Sequence, residues 1–403
     1  MITMATKALR SGIEQLDFLV AALCGVVLLL EGYDIAAIGY AVPSIADAWR
    51  LAPSSFTSTL VAGSVGLLLG SVGVGILGDR LGRKPVLIGC VASFGVFSLF
   101  TAFAGSLFQL SAMRSLTGLG LGGGLPLSIA LTSDFALPMR QGRLVILMSL
   151  GVPTGMALGG LLASRLVQAF GWPTIFIVGG VLPFMMVPVL ALWLPESTTL
   201  RVTRSNPVIA LFRDRLAVST VLLWAMNFLC MSTFYLILLW TPSILHLAGA
   251  GTSSAIFTTS IYGIGGILGP LLTASVIDRG AERILTYTTA FGAISVLAIG
   301  LFDMQFGLFS IVIFAAGMGM GSSQSGLNSL SGRIYPPAIR STGAGWALGL
   351  GRVGAIAGPA IGGALLVLGI GVHGMFIVAA IPIAVATLLM ALLGRSRATV
   401  ELP

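Results

Sequence analysis

Apolar residues in this chain of 403 are gathered into stretches of about 20 residues, the length that a helix needs to cross a bilayer. Short polar segments separate them. The stretches lie near 17–39, 54–77, 86–104, 107–131, 144–168, 174–194, 216–243, 253–276, 284–302, 306–330, 342–367 and 374–394. The pattern therefore predicts an all-α membrane protein with twelve transmembrane helices.

Composition supports this prediction. Hydrophobic residues make up 56% of the chain and charged residues only 8%, too few to cover a soluble domain. The 54 glycines fit helices that pack closely in lipid. The three cysteines have no metal-ligand spacing, and no nucleotide-binding or hydrolase motif is present. We therefore expect no cofactor, no metal and no enzymatic activity.

The formal charge of +8 is explained by topology. Most of the 21 Lys and Arg residues fall in loops on the side of the two termini, which the positive-inside rule assigns to the cytoplasm. We expect a multi-pass inner-membrane protein with both termini cytoplasmic and no nucleic-acid partner. No small-residue cleavage site follows the first stretch, so we interpret it as a span and not as a cleaved signal peptide.

An internal repeat divides the chain. Gly118, Gly120 and Gly122 recur 199 residues later, and GVPTGMALGG (151–160) recurs as GAIAGPAIGG (354–363). We predict an N-terminal six-helix half at 1–194, a cytoplasmic linker at 195–214 and a C-terminal six-helix half at 215–403. Parallel repeats of this kind are a transporter plan with a substrate site near the midplane. The two glycine faces, spaced four residues apart, indicate close helix packing or sliding.

Four charged residues interrupt the apolar stretches: Glu31, Asp34, Arg114 and Arg352. Each costs about 2.5–3.5 kcal/mol in a bilayer, so such residues normally mark a substrate or proton pathway. Counting helical rise from the expected span ends puts Asp34 level with Arg114, and Glu31 level with Arg352. A purely structural pairing of acids with bases is the alternative interpretation.

The chemistry of these residues suggests their roles. Arg352 offers a planar fork that suits a carboxylate and keeps its charge. Removal from water disfavours the charged form of Asp34 and Glu31, which would let them load and release protons. Arg114 would favour release from the acid nearest to it. We prefer Asp34 as the proton carrier.

The loop GDRLGRKP (78–85) resembles the signature loop of the major facilitator superfamily, and RSLTGLGLGGG (114–124) resembles its fourth-helix motif. EGYDIAAIG (31–39) and IYPPAIRSTGAGWALGLGRVGAIAGP (334–359), with 114–136, resemble the aromatic acid:proton symporter family. Glu31 departs from that family, whose first acid in this helix is usually Asp. The resemblance implies a secondary transporter, usually active as a monomer.

Two further groups of residues follow from the resemblance. The loop after the second span implies a gating device, although plain topology also explains its basic residues. This gating group comprises Asp79, Arg80, Gly82, Arg83 and Lys84, with the repeat-related Arg140 and Arg340. The resemblance also implies that spans one, four, seven and ten line the substrate cavity. The candidates to contact substrate, besides Arg352, are Glu31, Tyr33, Asn227, Tyr235, Trp240, Gln324, Ser325 and Asn328.

Two transport hypotheses remain open at this stage. The first is import of a small aromatic carboxylate, of the hydroxybenzoate kind, together with protons. The second is a proton-coupled carrier of a non-aromatic mono- or dicarboxylate of the muconate kind. A membrane receptor that binds such an acid is the alternative outside transport, but the short termini and linker offer no signalling domain.

Overall fold

The structure is a computed structural model, and it describes residues 2–137, 140–197, 208–213, 216–277, 280–303, 305–336 and 339–398. The side chains of 2–15, 75, 76, 79, 332, 340, 341 and 395–398 lie outside this description. All regular secondary structure of the described residues is helical.

Fourteen α-helices and two short 3₁₀ turns, Pro53–Phe56 and Val208–Phe212, make up the described residues. The α-helices are α1 (Ile2–Trp49), α2 (Thr57–Leu81), α3 (Arg83–Thr101), α4 (Leu107–Leu121), α5 (Gly124–Phe135), α6 (Gln141–Ser149), α7 (Gly151–Phe170), α8 (Pro173–Trp193), α9 (Leu216–Leu247), α10 (Thr252–Val276), α11 (Ala281–Leu301), α12 (Phe306–Ile334), α13 (Arg340–Val367) and α14 (Val372–Ala398).

Twelve segments of the described chain are long and apolar enough to cross a membrane, which confirms the predicted fold class. Two of them consist of two helices each. The span Leu107–Phe135 contains α4 and α5, which meet at the glycines 122–124, residues with poor helix propensity. The span Gln141–Phe170 contains α6 and α7, whose junction lies next to Pro153, a residue without a backbone donor. The apolar pattern alone did not predict these breaks.

The first helix is longer than its apolar core. The sequence places the end of the first span near residue 40, but α1 continues to Trp49 through Pro43. It ends where Arg50 adopts a positive φ of 54°. The residues after 40 remain mostly apolar, which explains why the helix extends beyond the predicted end of the span.

The chain divides into two compact units. Unit 1 comprises Met1–Ala37, Ala62–Gly159 and Ala169–Val202, and unit 2 comprises Ile38–Val61, Gly160–Gln168 and Thr203–Pro403. The division at a linker 195–214 stays a prediction, and residues 198–207 and 214 of that linker lie outside the described residues.

In unit 1, the glycine face of α7 packs directly on the backbone of α1. A Cβ atom at Gly151 or Gly155 would overlap the carbonyl oxygens of Gly25 or Leu29. A Cβ atom at Gly159 would come within 2.8 Å of the Tyr33 ring. Because only hydrogen fits at these positions, the close-packing interpretation of this face is confirmed.

In unit 2, α13 packs on α9 in the same way. A Cβ atom at Gly354 or Gly358 would overlap the carbonyl oxygens of Phe228 or Ser232. Glycine and partner are both shifted by 203 residues between the units, since 354 − 151 and 228 − 25 are equal. The sequence repeat is therefore also a repeat of contacts.

The second repeated glycine set behaves likewise. Gly118 of α4 lies against the Gly63 carbonyl of α2, and Gly317 of α12 lies against the Tyr262 carbonyl of α10. Both members of the pair are shifted by 199 residues, since 317 − 118 and 262 − 63 are equal. Each unit thus holds its helices together at matching glycines.

Candidate functional site

A buried ion pair joins α1 and α4 in unit 1. Arg114 Nη1 donates to Asp34 Oδ1 at 2.6 Å, and Arg114 Nη2 donates to the Asp34 backbone carbonyl at 2.9 Å. The two side chains are 4% and 0% exposed. The expectation that these residues lie at one level is met, and the acid is held through both its side chain and its backbone.

The surroundings of the pair leave one carboxylate oxygen open. Phe176 of α8 lies under the guanidinium, with Arg114 Cζ 5.6 Å from the ring centroid, a cation–π contact. Asp34 Oδ2 is buried and has no hydrogen-bond partner among the described residues. A Cβ atom at Gly179 would lie 3.1 Å from this oxygen and 3.0 Å from Ser98 Oγ. Thus Oδ1 binds the cation, and Oδ2 faces Gly179.

Glu31 lies one turn before Asp34 and is 1% exposed. Its carboxylate contacts Gly124, where α5 begins, and any side chain at that position would overlap Glu31 Oε2. The helix break within the fourth span therefore brings the first turn of α5 against the Glu31 carboxylate, a relation that the sequence pattern did not reveal.

Tyr33 has a structural role in unit 1. It is 4% exposed, its hydroxyl donates to the Ile175 carbonyl at 2.8 Å, and its ring fills the space beside Gly159. The hydroxyl is therefore engaged in helix packing. A substrate contact by Tyr33 stays a prediction.

Arg352 of α13, in unit 2, differs from Arg114. It is half-buried inside a span, and none of the described residues forms a hydrogen bond or an ion pair with its side chain. Because a guanidinium does not lose its charge, this cation stays positive within the span. It is suited to a carboxylate that comes from outside the chain.

Two amide side chains meet in unit 2. Asn227 of α9 is 1% exposed, and its Nδ2 donates to the Leu223 carbonyl at 2.9 Å. Gln324 Nε2 of α12 donates to Asn227 Oδ1 at 3.4 Å. Ser325 and Asn328, on the same helix, are exposed. The structure thus brings Asn227 and Gln324 together and leaves Ser325 and Asn328 on an open face.

Tyr235 and Trp240 of α9 lie in the core of unit 2. Trp240 is fully buried, and its Nε1 donates to the Pro359 carbonyl at 2.9 Å. Tyr235 is 5% exposed and meets the Phe234 ring edge-on at 5.7 Å. These contacts support packing, and a role in substrate binding stays a prediction for both.

Near the start of α3, the predicted gating group joins three elements of unit 1. Arg83 Nη1 forms an ion pair with Asp134 of α5 and donates to the Ala130 carbonyl at 3.3 Å. Ser197, which follows α8, donates to the same Asp134 carboxylate. Lys84 Nζ donates to the Ala191 carbonyl at 2.8 Å. Asp134 and Ser197 were missed in the sequence, because neither belongs to the loop motif.

The other gating candidates are placed less fully. Gly82 has a φ of 97°, a conformation that favours glycine, and this turn separates α2 from α3. Arg80 is exposed and Arg140 is half-buried. The side chains of Asp79 and Arg340 lie outside the described residues. A gating role for the whole group stays a prediction.

Twelve apolar spans with a repeated helix arrangement define a multi-pass membrane protein built like a secondary transporter. The chain belongs to the Major Facilitator Superfamily, whose family model matches residues 24–349 and 249–402.

Named relatives are transporters and not enzymes. The chain is 37% identical to a 3-(3-hydroxy-phenyl)propionate transporter of Escherichia coli (strain K12), covering 99% of both chains. It is 32% identical to a 4-hydroxybenzoate transporter of Pseudomonas putida, covering 91% of this chain and 90% of the relative. A solved D-xylose-proton symporter has a TM-score of 0.75 at 19% identity and covers 93% of this chain and 97% of its own. The last likeness shows the fold alone.

Proposed function

We propose that this protein is a secondary active transporter that imports a small aromatic carboxylate of the hydroxybenzoate kind together with protons, by alternating access. The observation that carries the proposal is the state of Arg352, a permanent cation inside a span with no anionic partner among the described residues. Such a cation is expensive in a membrane unless an anion joins it. A transported carboxylate supplies that anion.

The aromatic character of the substrate is supported by the relatives. Two that the chain matches over nine-tenths of its length are named as transporters of hydroxylated aromatic acids. A non-aromatic mono- or dicarboxylate of the muconate kind is the second candidate, because Arg352 recognises the carboxylate and not the ring. The substrate panel below separates the two.

Proton coupling is assigned to Asp34, with Glu31 and Arg114 as its neighbours. Asp34 has one oxygen bonded to Arg114 and one buried oxygen without a partner among the described residues. Protonation at Oδ2 would neutralise the acid and weaken its attraction to Arg114. The contact between α1 and α4 would then have two states, one with Asp34 charged and bound to Arg114 and one with Asp34 protonated and bound less tightly.

Energetics favour such coupling. An anion that enters a negative-inside cell works against about 2.3 kcal/mol per 100 mV. One proton carried with it cancels the charge, and a second proton would make the membrane potential assist uptake. Two acids on α1 offer room for either stoichiometry.

The remaining parts of the proposal follow the same transporter plan. Both termini are placed in the cytoplasm by the positive-inside rule. Arg83 and Asp134 would act as a latch that holds α3, α5 and the segment after α8 together in one conformation. A single chain suffices for transport.

The test is uptake of radiolabelled benzoate, 4-hydroxybenzoate, protocatechuate, gentisate and muconate into proteoliposomes with an imposed inward proton gradient. Wild type is compared with Asp34→Asn and Arg352→Lys, and exposed Arg165→Lys controls for the chemical change. Gradient-driven aromatic uptake that both site variants lose supports the proposal.

Other outcomes overturn parts of it separately. Uptake that survives Asp34→Asn and ignores the pH gradient removes the proton role. Uptake of muconate without the aromatic acids favours the second candidate. Uptake of none of the five acids by wild type removes the carboxylate assignment and leaves only the family.

A further inference from the structure

The hydrogen bonds around Asn227 fix how the Gln324 amide is turned. The Leu223 carbonyl can only accept, so the NH₂ group of Asn227 must face it, at 2.9 Å. Asn227 Oδ1 then faces Gln324 and can only accept, so Gln324 presents its NH₂ group there, at 3.4 Å. The Gln324 carbonyl oxygen, Oε1, is thereby directed away from Asn227.

This oxygen has no hydrogen-bond partner among the residues that the structure describes. Gln324 Oε1 is buried, and none of the described residues donates a hydrogen bond to it. Native proteins rarely leave a buried acceptor unsatisfied, because it has lost its bonds to water and gained none. The hydrogen bonds of Asn227 fix the orientation of the Gln324 amide. Its unsatisfied oxygen is therefore suited to a hydrogen-bond donor that comes from outside the protein.

The position of Gln324 fits a ligand. Ser325 and Asn328 are exposed on the same helix within the span Phe306–Ser331, and polar groups at membrane depth border water-filled space rather than lipid. On the other side of Asn227, a Cβ atom at Gly351 would lie 3.7 Å from the Asn227 Cβ. The turn of α13 that carries Arg352 therefore packs beside the residue that orients Gln324.

We propose that Gln324 Oε1 accepts a hydrogen bond from a ring hydroxyl of the transported aromatic acid, and that this contact selects hydroxylated acids over acids without a ring donor. The inference rests on the proposed function and adds a residue that determines specificity. Arg352 recognises the carboxylate that all these acids share. Gln324 distinguishes among them, because a ring without a donor leaves Oε1 unpaired in a closed site.

The experiment measures kcat/KM for uptake of 3-hydroxybenzoate, 4-hydroxybenzoate, benzoate and 4-fluorobenzoate in proteoliposomes. In 4-fluorobenzoate a fluorine that cannot donate replaces the hydroxyl. Wild type should prefer at least one hydroxylated acid over benzoate and 4-fluorobenzoate by about tenfold or more, since a site built to bind a hydroxyl discriminates strongly against its absence. Gln324→Leu should reduce that preference to about onefold, because leucine offers no acceptor that could distinguish a hydroxylated ring from the others.

Gln168→Leu, the same change at an exposed position of α7, controls for the substitution. A preference that survives in Gln324→Leu, or a Gln324→Leu variant that loses thermal stability with an unchanged preference, makes Gln324 a structural residue and overturns the inference. If Gln324→Leu does not fold, wild type decides: equal uptake of 4-hydroxybenzoate and 4-fluorobenzoate overturns the inference. If wild type takes up any aromatic acid, the proposed function stands whatever the result for Gln324. If wild type takes up no aromatic acid, both the proposed function and the inference about Gln324 are overturned.

Discussion

Arg114 and Arg352 are the same residue type in a membrane span, yet the two units treat them differently. Arg114 is 3% exposed, bonded twice to Asp34 and stacked over Phe176. Arg352 is half-buried and has no partner among the described residues. An intramembrane cation that is neutralised by a buried acid of the same unit contributes to the packing of its helices. One that is left open is suited to an anion from solution.

The largest expected effect comes from removing the charge of Arg114. Arg114→Gln should lower the free energy of unfolding by about 3–5 kcal/mol, because it leaves the buried Asp34 carboxylate uncompensated. The double variant Asp34→Asn/Arg114→Gln should recover part of that loss. Thermal unfolding of the purified protein in detergent measures both, and an Arg114→Gln protein as stable as wild type would mean that the pair is not buried as described.

Arg352→Gln should act in the opposite way. The kcat/KM for uptake should fall roughly 30-fold to 1000-fold, because the carboxylate loses its charged partner. This decrease corresponds to about 2–4 kcal/mol of lost binding free energy. Thermal stability should stay unchanged or rise, since no bond within the described residues is lost. Arg165→Gln serves as the matched control, and equal destabilisation by Arg114→Gln and Arg352→Gln would remove the distinction between the two cations.

A smaller effect tests the open oxygen of Asp34. Gly179→Ala places a methyl group 3.1 Å from Oδ2 and should cost about 1–3 kcal/mol through crowding. The pH dependence of uptake should change with it if Asp34 carries the proton as proposed, because the methyl group crowds Oδ2. Gly73→Ala is the control: a Cβ atom there meets nothing within 4 Å. An unaltered pH profile in Gly179→Ala would place the proton elsewhere.

The smallest expected effect concerns the aromatic ring beneath Arg114. Phe176→Leu removes the cation–π contact, worth about 0.5–2 kcal/mol. Phe309→Leu in unit 2 removes a ring that faces another ring, Phe376, and no cation. Both variants lose packing, so the difference between their melting temperatures reports the cation, and no difference would exclude a contribution from it.

Much of the fold could be predicted from periodicity and composition. The twelve spans follow from apolar length, and the glycine faces of α7 and α13 follow from a four-residue spacing that survives in both repeats. The breaks between α4 and α5 and between α6 and α7 could not be predicted from hydropathy. They depend on a glycine run and on Pro153, which leave the apolar pattern intact.

Contacts that depend on the position of a residue along its helix could be predicted from the sequence. Contacts that depend on the rotation of a helix about its axis could not. Asp34 and Arg114 were expected at one level because rise per residue is fixed. Phe176 under Arg114, Asp134 beside Arg83 and the turn of the Gln324 amide depend on how neighbouring helices are rotated. A single sequence carries little information about that angle.

The contacts between α1 and α7 also restrict how this protein can move. The two backbones touch at Gly151 and Gly155, so a rotation of α7 about its own axis by about 100°, the angle between consecutive residues, would bring the side chain of Thr154 or Met156 against the Leu29 carbonyl. In mechanical terms the pair resists twisting of one helix against the other. We therefore expect α1 and α7 to move as one body, with Asp34 at the next turn of α1 moving with them.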